Sequence, residues 1–123
     1  DEMPAYAASL VARHSRLLGV HLNDGYGKRD DGLIAGSVHP IQTIELLVTL
    51  SHIGYQGILY FDTFPDTAGL DPVAECETNI AAVEAMRAIA TRLAQNKDLV
   101  TAIAHQDSAK SMALVQAALF GRQ

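Results

Sequence analysis

The sequence predicts an α/β fold, and three observations carry that prediction. Stretches of helical periodicity alternate with two short apolar runs of strand length. Those runs end in Asn, Asp and Gly, and the chain closes in consecutive helical segments. The order helix, strand, helix, strand, helix implies parallel strands joined by right-handed crossovers. Two strands do not make a parallel sheet that stands alone, so the pattern reads as a slice of a larger α/β body.

Each element has a local reason. Pro4 followed by "AYAASLVARHSRL" predicts a helix with Pro in its first turn and Leu10, Val11 and Leu17 available for burial. "LLGVHL", ending at residue 22, is a strand, and the long loop from Asn23 to His39 after it is of the kind that carries function. A second helix starts near Pro40, with Ile41, Ile44, Leu47 and Val48 on one face and Gly54 where a C-terminal cap belongs. "GILYFD", residues 57 to 62, is the second strand, apolar enough to be buried on both faces. The loop "TFPDTAGLDP" leads to a helix from Val73 to about Gln95. Two shorter helices follow, around Leu99 to His105 and Ser108 to Phe120, with Asn96 and "HQDS" separating them and Asp107 or Ser108 as an N-cap. Residues 1–95 therefore form the βα units, and 96–123 a helical tail.

Composition narrows the function classes. A chain of 123 residues with 49% apolar and 19% charged residues supports a real core and is not disordered. A net charge of −5 argues against a nucleic-acid surface, which needs clustered Lys and Arg. No apolar run approaches the roughly 20 residues that cross a bilayer, and "DEMPAYAASL" lacks the pattern of a secretion signal. The single cysteine, Cys76, falls in a predicted helix and reads as a packed residue without redox work. A cytoplasmic location is expected.

The chemistry gathers in "HLNDGYGKRDDGL" and at the end of the second strand. Parallel strands end on the same side, so His21 and Asp62 meet at one rim, and the loop bearing Asp24, Asp30 and Asp31 opens from it. Histidine with carboxylates suits a hard or borderline divalent cation. Each residue also has a plain reading. A histidine at a strand end forms a structural hydrogen bond, "ND" and "DDG" are turn chemistry, and Asp62 caps the next segment. His39, just before Pro40, is placed to cap the helix or to line the rim. Lys28 and Arg29 meet either an anion or solvent. His14, His52 and His105 belong to helix surfaces and ends, and Glu75, Glu77 and Glu84 to a helix surface.

These two segments resemble the xylose-isomerase-like TIM barrels, in particular the rhamnose-isomerase type of sugar isomerase. "HLNDGYGKRDDGL" is similar to the end of barrel strand seven, "YFDTFP" to the end of strand eight, and "DPVAECETNIAAVEAMRAIA" to the last barrel helix. The resemblance implies the C-terminal part of a (β/α)8 barrel followed by a helical tail. It implies that His21 and Asp62 ligate a first divalent ion, and that Asp30, with Asp31 as the alternative, serves a second, catalytic ion. Mn²⁺ is expected ahead of Mg²⁺ or Co²⁺. The implied activity is aldose–ketose interconversion by a metal-assisted hydride shift on a small sugar.

Two departures stand out. The family shows Asp-x-Asp in this loop, whereas "RDDGL" places Gly32 where the second aspartate belongs, which keeps a single-metal ketose 3-epimerase in view. A complete barrel takes about 250 residues, so the remaining ligands are expected upstream of Asp1. Activity then requires the rest of the barrel, from another segment or from other subunits in a homo-oligomer. The alternative is a non-catalytic assembly fragment. Its tail offers Leu99, Val100, Ile103, Leu114, Val115, Leu119 and Phe120 to a neighbour.

Overall fold

A computed structural model of the chain describes residues 3–64 and 71–121. Its elements are α1 (Pro4–His14), β1 (Val20–Leu22), α2 (Pro40–His52), β2 (Leu59–Phe61), α3 (Pro72–Gln95), α4 (Lys97–Ala104) and α5 (Ser108–Phe120). The chain is an α/β protein, mostly helical. Residues 65–70 of the loop expected after the second strand lie outside the described residues.

Helix boundaries follow local chemistry closely. α1, α2 and α3 each begin at a proline, whose fixed φ and missing N–H suit the first turn. α2 ends as expected at Gly54, where φ is +72°. The Gly54 N–H donates to the Ser51 carbonyl at 3.1 Å and the Tyr55 N–H to the Leu50 carbonyl at 2.9 Å, a Schellman closure. Side-chain oxygens cap the last three helices. Asp71 accepts from the Val73 N–H at 2.9 Å, Asn96 from Leu99 at 3.1 Å and Asp107 from Lys110 at 3.0 Å.

β1 and β2 pair in parallel with Val20 opposite Leu59, His21 opposite Tyr60 and Leu22 opposite Phe61. The ladder continues one bond further, from the Asp62 N–H to the Leu22 carbonyl at 2.9 Å. Alternation then sorts the side chains. Val20, Leu22, Leu59 and Phe61 pack into the core with Ile44 and Leu47 of α2 and Val83 of α3. His21 and Tyr60 point the other way, their rings 5.1 Å apart. Strands buried on both faces were expected, but among the described residues the core covers one face and leaves residues of the other exposed. Ile58 and Tyr60 remain 63% and 50% exposed.

Three expectations about packing also change. On α1 the buried residues are Ala5 and Ala8, while Leu10 and Val11 are exposed. The helix meets α2 through small side chains, so its larger residues lie off the contact. The tail divides: Leu99 is buried, and Leu114, Val115 and Leu119 pack against the chain's own core. Of the apolar residues offered to a neighbour, Val100, Ile103 and Phe120 stay exposed, as does Met112. Cys76 is exposed on α3, not packed. No described helix is long and apolar enough to cross a membrane.

Candidate functional site

The loop after β1 is folded back on itself by a pair of backbone bonds between Asp24 and Leu33, at 2.9 and 3.0 Å. That bridge gathers 24–33 into a flap at the C-terminal end of the ladder. It also brings Gly32 against Phe64 beyond β2, whose N–H donates to the Gly32 carbonyl at 3.0 Å. A cleft of about 390 Å³ lies between flap, strand end and the start of α2. His21, Asn23, Asp30, Asp31, His39 and Gln42 line it.

The residue the geometry singles out is Asp24, one of the few buried polar groups. One carboxylate oxygen accepts the Gly25 N–H at 2.9 Å and meets His39 Nδ1 at 2.7 Å. The other accepts the N–H groups of Val38 at 2.9 Å and His39 at 2.7 Å. It thereby ties the flap to the N-terminus of α2, where backbone donors and the helix dipole favour an anion. Burial pushes its pKa up and is the largest single influence. The bonds from the His39 ring, the His39 and Val38 N–H groups and Gly25 together outweigh it and hold Asp24 below the usual carboxylate value.

The other predicted residues occupy different situations. His21, beside Tyr60 in the ladder, lines the cleft, whereas Asp62, just past β2, is not among its lining residues; both are exposed. Asp30 is exposed and accepts a bond from Asn23 Nδ2 at 3.3 Å. Asp31 is engaged within the flap: one oxygen accepts the Tyr26 N–H and the other pairs with Arg29 Nε, each at 2.9 Å. The Tyr26 bond, then Arg29, lowers its pKa. Asp31 is therefore an organiser of the loop, neutralised by the guanidinium that the sequence left between anion and solvent.

Gly32 has a steric explanation. Its φ is +60°, and a Cβ there would fall 2.2 Å from the Phe64 ring. An aspartate at this position, as the resembled pattern has it, does not fit this flap. Among the described residues no three His, Cys, Asp or Glu side chains converge to hold an ion. His21 and Asp62 have the chemistry of two ligands of a hard or borderline cation. They do not by themselves make a site.

Sequence reasoning gave His39 two roles, read Asp24 both as a rim carboxylate and as turn chemistry, and missed their pairing. The signal was present as His-Pro at a helix start and Asn-Asp-Gly at a strand end. Nothing in the spacing says that two such segments meet. No protein-family model matches the chain, and no curated protein matches it.

Proposed function

We propose that the chain is the C-terminal portion of a divalent-metal-dependent sugar isomerase that interconverts aldose and ketose when the rest of a (β/α)8 barrel is supplied. One observation carries the reading. His21 and Tyr60 share one side of a parallel ladder, and Asp62 directly follows it at the end from which the polar flap opens. In a closed barrel that side faces the interior, and the C-terminal ends of the strands hold the active site. The open side, with Tyr60 half exposed, agrees with a sheet whose other strands come from elsewhere. Asp30 remains the flap carboxylate available to a substrate or second ion.

The test is native mass spectrometry of the purified protein with Mn²⁺, followed by assay with an aldose. A complex with a longer partner, or a closed multiple of this chain, retaining one or two ions is expected. His21→Ala and Asp62→Ala should each abolish that retention at unchanged assembly mass. Retention unaffected by both variants refutes the reading and leaves an assembly fragment. Gly32 favours a second chemistry, the single-metal ketose 3-epimerase, because the flap excludes the aspartate of the two-metal pattern. A ketose converted to another ketose, with no aldose formed, decides for it.

A further inference from the structure

Asp24 and His39 form a pair that the proposed metal chemistry does not use. The carboxylate is almost fully enclosed, its side chain 6% exposed, while the His39 side chain is 37% exposed and lines the cleft. Asp24 receives N–H donors from Gly25, Val38 and His39, so its oxygens act only as acceptors. The 2.7 Å contact to His39 Nδ1 then requires the imidazole proton on Nδ1. Backbone and ring of His39 are both held by the same carboxylate, so turning the ring would break its Nδ1 bond while the backbone stays tied. Nε2 has no partner among the described residues and is the nitrogen left for the cleft.

We propose that His39 is a carboxylate-oriented proton acceptor, its Nε2 receiving a hydroxyl of a polyhydroxylated ligand in the cleft, with Asp24 as its positioning residue. Proton transfer breaks the ligand O–H bond and forms Nε2–H. The electron pair stays on oxygen, and the imidazolium charge sits against the Asp24 carboxylate. Asn23 and Gln42, which also line the cleft, supply amides for neighbouring hydroxyls. The ligand class rests on the sugar reading above, whereas the place of the proton does not.

The experiment is long-range ¹H–¹⁵N correlation of the histidine rings in the full chain, with a metal chelator present and xylitol as the probe. His39 is expected as the Nδ1–H tautomer, with an Nε2 resonance that shifts saturably as xylitol is added while that of His14 stays still. In Asp24→Asn the Nδ1–H preference should be lost, and in Gln42→Ala the shift should need more xylitol. Should Asp24→Asn fail to fold, the wild-type spectrum decides alone. An Nε2–H tautomer, or an Nε2 resonance that xylitol leaves unmoved, overturns the proposal and reduces the pair to a structural tie. Because chelator removes the metal, failure here is separate from loss of Mn²⁺ retention, which bears only on the isomerase reading.

Discussion

Replacing Asp24 by alanine should be the most damaging single change in the flap, and its size can be built from the bonds lost. Four donors reach the carboxylate at 2.7 to 2.9 Å. A hydrogen bond to a charged group contributes about 1.5–3 kcal/mol net. The Gly25 bond is local and the alanine variant lets water reach part of the gap, so only the Val38 and His39 bonds count in full. These values are already net of exchange with water, and partial rewetting of the abandoned donors keeps the loss near the low end of their sum. The loss is about 3 kcal/mol, within the range found for removing one partner of a buried pair. With a urea slope of about 1.5 kcal/mol/M, the midpoint should fall by about 2 M. Urea unfolding followed by far-UV circular dichroism measures this at neutral pH. Asp24→Asn should recover part of the loss, since one of its ends must present an NH₂ to groups that are themselves donors. A midpoint change under about 0.5 M for Asp24→Ala, at unchanged slope, would mean that the carboxylate does not hold flap and helix together.

Three further outcomes follow from the same geometry. The pKa values of Asp24 and Asp31 both lie below the usual 3.8. The unfolded chain therefore binds more protons, and their stabilisation is full above that value and lost as pH falls through the lower folded values, which an acid titration of unfolding will show. Gly32→Ala should cost about 1–3 kcal/mol from the left-handed backbone alone, and more from the Phe64 ring, read as a lower melting temperature. Asn79, fully buried, accepts the Ala35 N–H at 3.0 Å, while its own NH₂ has no partner among the described residues. Asn79→Ala should thus cost only about 1–3 kcal/mol, the loss at Ala35 being offset by removal of the orphaned donor, with faster hydrogen exchange at the Ala35 amide as the specific signature.

What the sequence determined by itself was everything decided over a few residues. Prolines at residues 4, 40 and 72, Gly54, and the oxygens of Asn96 and Asp107 set where helices start and stop through bonds spanning one turn. The parallel pairing of the two strands was legible for a related reason, because alternating elements leave few topologies. Which side of each element is buried was not legible. A helix such as α1 carries both alanines and larger apolar residues, and only the closeness of α2 selects Ala5 and Ala8. The site divides in the same way. Asp30 and Asp31 are alike as neighbours in sequence, yet the backbone at Tyr26 and the guanidinium of Arg29 engage one and leave the other exposed. The decisive case is Asp24 with His39. The Asp24–Leu33 bridge folds the flap, and the long loop carries Val38 and His39 back to the carboxylate. A contact closed over such a distance depends on the whole path of the chain between its ends, and no local pattern encodes it.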